Sequence, residues 1–285
     1  MRKTYILEEG PPAADFTQYA TVTAQIYSDL LATATEERQL QEFFEHNPCF
    51  LPGSSSPGSH GPLYDMLISQ PRLPGLSSHA PDFMWITSHS ARWFPTLIEI
   101  EHPAKRLFTK AGIPTSDFTQ AHSQLIAWRS WFSEPSNVDK FIADYAIPED
   151  IRRGRIVEPR FLLIYGRRRE FEKDTQLSKF RASLMTSPDE ELISFDRLSP
   201  SHDLHDALTV RAKGHGRYEA LAVMPTLRLG PHSTEGFPHV EGLVEAVTAD
   251  ERISRVRREF LARRIPYWRT WKEDPEMSIV GNDFE

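Results

Sequence analysis

Hydrophobic positions along this chain recur with two different periods, and the switch between them predicts the elements. In TEERQLQEFFEHNPCFL, Leu40, Phe43 and Phe44 recur at helical spacing behind Thr35 and two acidic residues, and the run stops at Asn47-Pro48. That pattern predicts a helix with one buried face. A second helix is predicted over SDFTQAHSQLIAWRSWF, with Ser116 or Asp117 as its N-cap, and a third over LSKFRASLM. Strands are predicted where the period falls to two or the apolar run is unbroken, in DFMWIT, TLIEIE, RFLLIYG and LISFDRL. The first two are joined by SHSARWFP and read as a hairpin, and Gly166 ends the third. PGSSSPGSHGP and QPRLPGLSSHAP read as loops, and YATVTAQIYSDLLATA as a short helix or strand. The order αββαβαβ predicts one mixed α/β domain over residues 35–210. An N-terminal extension, 1–34, precedes it, and a C-terminal helical extension, 211–285, packs on the core or forms an oligomer interface.

Composition narrows this picture. A chain of 285 residues with 39% hydrophobic content has room for one large core. No run approaches the ~20 apolar residues that cross a bilayer, and the opening MRKTYILEEGPPAADF turns acidic and proline-rich, so no membrane and a cytoplasmic location are expected. The single cysteine, Cys49, excludes a disulfide framework and is expected to be buried rather than nucleophilic. With a net charge of −7, nucleic acid can bind only through local basic patches. Two exist: residues 151–170 and 251–270 each hold seven arginines against two glutamates.

The chemistry concentrates in PTLIEIEHPAKRLFTK. Glu99 and Glu101 alternate with Ile98 and Ile100, so in a strand both carboxylates share one face while the isoleucines enter the opposite layer. If Asp82 opens the partner strand, a third carboxylate joins them. Three ionised groups within ~5 Å repel by roughly 3 kcal/mol per pair at an effective dielectric near 20, which a proton or a divalent cation must relieve. Oxygen ligands point to Mg2+ or Mn2+. The plainer alternative is an edge strand whose glutamates face solvent.

PDFMWI followed by EIEHP resembles the PD-(D/E)XK nuclease signature. The ordered series LQEFFEHNPCFL, PDF and IEIEHPAKRLFTKAGIPTSDFTQAHSQLIAWRSWF resembles the Shedu family of anti-phage nucleases over about residues 35 to 200. The resemblance implies a restriction-endonuclease-like core, a mixed central sheet flanked by helices, with N- and C-terminal extensions. It also implies homo-oligomers and a metal-dependent DNA endonuclease or nickase. Carried onto this chain, it implies Asp82 and Glu99 as metal ligands with the Ile100 carbonyl as a third, and Gln124 bordering the site, with Trp128 where tyrosine is usual. Glu101 stands where the signature has lysine. The carboxylate would then act as general base or second-ion ligand, or a nearby cation, Lys105, Arg106 or Lys110, would substitute. Loss of catalysis, leaving a nucleic-acid-binding or sensor protein of the same fold, is the other outcome. Lys105, Arg106, Lys110, Arg152, Arg153, Arg167 and Arg168 are the expected DNA-backbone contacts.

Glu37 and Glu42, on the first helix, read as solvated residues rather than an outer carboxylate. HDLHD, His202 to Asp206, has the look of a metal motif but lacks a third ligand, and His102 and His122 lie near the expected centre. KGHGRYEA lacks the context of a phosphate loop. The arginine-rich ISRVRREFLARRIPYWRTW predicts an amphipathic helix whose Phe260, Tyr267, Trp268 and Trp271 suit self-association.

Overall fold

The computed structural model describes residues 5–55, 61–76, 80–185, 187–273 and 283–285. Two helices come first, α1 (Phe16–Thr33) and α2 (Glu37–His46), followed by β1 (Met66–Ser69), β2 (Phe83–Ser88) and β3 (Arg92–Ile100). Next are α3 (Ser116–Phe132), α4 (Pro135–Tyr145), α5 (Glu149–Arg152), β4 (Ile156–Val157), β5 (Arg160–Ile164), α6 (Thr175–Ala182) and β6 (Glu190–Ile193). The chain closes with β7 (Leu208–Gly214), β8 (Arg217–Val223), β9 (Val240–Glu241), α7 (Leu243–Ala249) and α8 (Arg255–Glu273).

The strands build one nine-stranded mixed sheet in the order β6-β5-β3-β2-β1-β7-β8-β9, with β4 beside the start of β3. β2 and β3 are the expected antiparallel hairpin, in the register Phe83↔Ile98 and Met84↔Leu97, and β5 lies parallel to β3 with Glu99 beside Leu163. The central strands are buried on both faces, so each face needs its own layer. Met84, Leu97 and Leu163 pack with Leu125 and Trp128 of α3, Phe141 of α4 and Trp268 of α8. Phe83, Trp85, Ile98, Ile100 and Leu162 pack with Tyr27 of α1 and Leu40, Phe43 and Phe44 of α2. Each such side chain contributes about 1.5–3 kcal/mol when fully buried.

Several expectations shift. The uncertain N-terminal segment is an 18-residue helix, capped by the Asp15 carboxylate accepting from Gln18 N. Thr115, rather than Ser116 or Asp117, caps α3, its hydroxyl accepting from Phe118 N. At α2 the Gln39 side chain, not Thr35, does the capping, accepting from the backbone N–H of Thr35 at 2.8 Å and of Glu36 at 3.1 Å. Cys49 is buried, as expected.

The expected boundary at 210/211 falls inside β7, and the C-terminal region adds three strands as well as helices. Its hairpin turns at Gly214-His215-Gly216, all three with positive φ, a conformation two glycines make accessible. β7 pairs in parallel with β1, a four-residue strand between the two stretches expected to be loops, so residues beyond 207 continue the core sheet. The aromatics of α8 are likewise internal: Phe260, Trp268 and Trp271 are buried within their own chain and are not available as oligomer anchors. Arg257 and Arg264 of that helix are also buried. Arg257 donates to the carbonyls of Pro11, Leu227 and Glu285, and Arg264 to the carboxylates of Glu8 and Glu285. Among the described residues no helix is long and apolar enough to cross a membrane.

Candidate functional site

Asp82 sits one residue ahead of β2, whose register with β3 begins at Phe83↔Ile98, and its carboxylate acts on that of Glu99. The backbone at Asp82 is tied on both sides, its N–H donating to Ile98 O at 3.1 Å and its carbonyl accepting from Gln70 N at 2.7 Å. Its side chain is anchored too, Oδ2 accepting from Ile100 N at 2.8 Å. Burial pushes the Asp82 carboxyl up to about 8 against that hydrogen bond, with Glu37 and Glu101 adding repulsion. Burial likewise pushes Glu99 up to about 10, reinforced by Asp82, Glu101 and Glu37. Gln124 of α3 opposes this by hydrogen-bonding the Glu99 carboxylate, while Glu99 Oε2 is buried with no hydrogen-bond partner among the described residues.

Glu101 lies on the same face just past the end of β3, and its backbone N–H donates to Ile164 O at 3.1 Å. Its carboxylate is ion-paired to Lys105, four residues on, in the loop between β3 and α3. Glu37, at the start of α2, is the residue sequence reasoning set aside. It is half-buried and its pKa is raised by burial and by a hydrogen bond and repulsion from Glu101, with Lys105 opposing. The signal was present: Glu37 precedes Leu40 by three and Phe44 by seven, so it shares the helix stripe that packs inward. Glu42 is exposed and paired with Arg38 at 2.7 Å.

Four carboxylates thus act on one another at the end of the sheet where β3 and β5 finish, with Lys105 their one direct cationic partner among the described residues. Among those residues no three His, Cys, Asp or Glu side chains form a metal-ligand group, so the expected ligand set is two carboxylates, Asp82 and Glu99, with the Ile100 carbonyl. The Lys105 pair draws Glu101 aside. The Asp82 and Glu99 pair remains, both buried and both carrying raised pKa values. An orphaned buried carboxylate oxygen and an excess of hard oxygen donors fit a divalent cation such as Mg2+ or Mn2+. A cleft of about 660 Å3 opens on Glu37 and Lys105, the two groups that act on Glu101, and is lined further by His102, Arg106, Thr115 and Asp117. His102 shapes its rim, its Nε2 lying 3.1 Å from the Ala34 carbonyl between α1 and α2.

The basic residues divide by strand end. Arg106 and Lys110 follow Lys105 in the cleft-side loop; Arg106 leans on Glu170 at 3.5 Å and Lys110 is exposed. Arg167 and Arg168 follow β5 at the carboxylate end, but Arg167 is held by Asp196 at 2.8 Å and by the Leu31 carbonyl. Arg168 is exposed. Arg152 and Arg153 close α5 and lead into β4, beside Arg92 and Trp93 at the opposite end of β3, about 20 Å from Glu99 by strand rise. They do not join the patch expected of them. His122 pairs with Glu190 at 3.2 Å rather than facing the carboxylates. His205 pairs with Asp206 at 2.9 Å, and Arg228 shares that carboxylate, so the HDLHD segment is an internal ion network.

The family model described as Shedu protein SduA, C-terminal, matches residues 34–199, more than half of the chain. The chain belongs to the Shedu family. That membership places it among anti-phage defence proteins. The matched segment of this Shedu chain contains every carboxylate of the site, Gln124 and Lys105, but not β7 to β9 or α8. No curated protein matches the sequence.

Because Asp82 and Glu99 gain protons on folding, their linkage runs opposite to that of salt-bridged acids. Between their ordinary values near 4 and their folded values of about 8 and 10, the folded state binds more protons than the unfolded one. Stability therefore falls as pH rises through that window. In EDTA, the unfolding midpoint should be lower at pH 9 than at pH 6 by more than ~3 °C, a difference worth about 1 kcal/mol at this size. Asp82→Asn should flatten the slope; differential scanning fluorimetry across pH checks it.

Proposed function

We propose that this Shedu chain is a metal-dependent DNA endonuclease or nickase of PD-(D/E)XK type, with Asp82 and Glu99 holding Mg2+ or Mn2+. The observation that carries the reading is the buried Asp82 and Glu99 pair, raised in pKa by their own crowding and left with an unbonded oxygen. A bound divalent ion would supply polarisation of the scissile phosphate and charge relief for the leaving oxygen. The Ile100 carbonyl is the third candidate donor, on the residue whose N–H already fixes Asp82.

The remaining groups are the chain's own. Gln124 fixes the orientation of the Glu99 carboxylate from α3. Glu101 accepts the proton of the attacking water as its oxygen bonds to phosphorus and the P–O3′ bond breaks, and the departing 3′ oxygen takes a proton from solvent water, leaving a 5′-phosphate and a 3′-hydroxyl. Lys105, paired with Glu101, brings an ammonium beside the position where the signature carries lysine, and can donate to a non-bridging phosphate oxygen. Arg106, Lys110 and Arg168, exposed around this end, hold the strand backbone by charge without reading sequence.

Supercoiled plasmid incubated with Mg2+ or Mn2+ tests the reading. Nicked or linear product that disappears in EDTA and in Asp82→Ala supports it; no cleavage with any metal, salt or DNA end structure leaves the non-cleaving binder. Lys105→Ala should cost about 10²-fold in kcat while Lys105→Arg recovers most of it, the scale of losing one transition-state donor. Lys110→Ala, by contrast, should weaken DNA binding and reduce its salt dependence without a comparable loss of kcat.

A further inference from the structure

Away from the carboxylates, on the face of β3 that Ile98 and Ile100 share, lies a cavity of about 410 Å3 between the loop after α2 and the segment after β6. Its lining includes Ser54, Thr96, Arg160 and Arg197, with Phe50 and Leu198 as apolar wall. Thr96 and Arg160 are register partners across β3 and β5. The loop reaches this close because Gly53 has φ +93°, and a Cβ there would meet Thr96 Cγ2 at 2.6 Å.

The two guanidinium groups of this cavity make only long ion pairs. The Arg160 guanidinium lies 4.0 Å from the Phe94 ring centroid, and its nearest carboxylate, Glu158, stands 3.9 Å away. Arg197 stands 3.9 Å from Glu191. Neither guanidinium hydrogen-bonds the chain among the described residues, whereas Arg129 makes a bidentate pair with Asp189 at 2.9 and 3.0 Å. Ser54 and Thr96 line the cavity at 8% and 1% exposure. The Arg160 and Arg197 side chains are 34% and 62% exposed, so a ligand can reach their open donors, and guanidinium forks with open donors match the oxygens of a phosphate group. One carboxylate, Glu191, against two guanidinium groups leaves a net positive charge in the cavity.

We propose that this cavity binds a small phosphate-bearing ligand of about nucleoside-monophosphate size. Arg160 and Arg197 clamp the phosphate, the hydroxyls of Ser54 and Thr96 donate to it, and Phe50 and Leu198 contact the remainder. A volume of a few hundred cubic ångströms with few polar groups on an apolar wall is typical of such sites. The site is separate from the carboxylates, which project from the other face of the same strand about 10 Å further along it.

Calorimetric titration of the full chain in EDTA with AMP, inorganic phosphate and adenosine tests this. AMP should bind in the micromolar to low millimolar range, phosphate more weakly, and adenosine not measurably. Arg160→Gln and Arg197→Gln should each weaken AMP at least tenfold, Glu191→Gln should tighten it, and Asp82→Ala should leave it unchanged. Arg160→Gln also removes a cation–π contact, so Arg197→Gln, at a side chain 62% exposed, keeps the test valid if the first variant misfolds. Absence of heat with both AMP and phosphate up to about 5 mM, where binding free energy is about 3 kcal/mol, overturns the proposal. So does adenosine binding as tightly as AMP, or affinity indifferent to both arginines.

Discussion

Glu99→Gln should abolish plasmid cleavage while making the ion-free protein more stable. The two effects have one cause. Glu99 is buried among like charges, with its pKa pushed up to about 10, so ionising it in the folded state is costly and a neutral amide removes that cost. The same substitution removes a charged oxygen donor from the Asp82 pair. Losing about 4 kcal/mol of transition-state stabilisation is about a thousandfold in rate. Thermal unfolding in EDTA at pH 9 should rise by at least ~2 °C, while nicking with Mn2+ falls to background. A variant that loses both activity and stability would show that Glu99 is held by structural bonds and not poised for a ligand. One that keeps full activity would remove Glu99 from the site.

Arg264→Leu should be the most damaging single change outside the site, at about 3–5 kcal/mol, the usual cost of stranding a buried charge. The Arg264 side chain is 4% exposed and that of Glu285 is 0% exposed, and they pair at 2.6 Å. Glu285 also accepts from the Trp268 indole, and Arg264 additionally holds Glu8 and the Ile6 carbonyl. Removing the guanidinium therefore strands the buried Glu285 carboxylate, while Glu8 keeps Arg263, and loosens the N-terminal segment from α8. Urea unfolding measures the loss, and the double variant Arg264→Leu, Glu285→Leu should recover part of it because the stranded charge is gone. A loss below ~1 kcal/mol would show that water replaces the guanidinium.

Short-range pattern made the centre of this protein legible. Period two in DFMWIT and TLIEIE specified the β2–β3 hairpin, and the alternation of Ile98 and Ile100 with Glu99 and Glu101 assigned the opposite faces that the two hydrophobic layers occupy. The strands beyond it were less legible. β1 is four residues long and lies between loop-rich stretches, and the turn joining β7 to β8 is the glycine-bearing KGHGRYEA, read as a broken phosphate loop. A strand as short as β1 is stabilised by its neighbours in the sheet, so its own pattern carries little signal.

At the site, residue types and spacing alone determined which carboxylates share a face, and the family resemblance named Asp82, Glu99 and Gln124. Tertiary structure decided the rest. It brought Glu37 in from another helix, turned Lys105 back onto Glu101, left Arg152 and Arg153 at the far end of β3, and enclosed the aromatics of α8 within the chain. Periodicity reports which way a side chain leaves its own element. What it meets there depends on contacts between residues tens to hundreds of positions apart, and no local pattern encodes those.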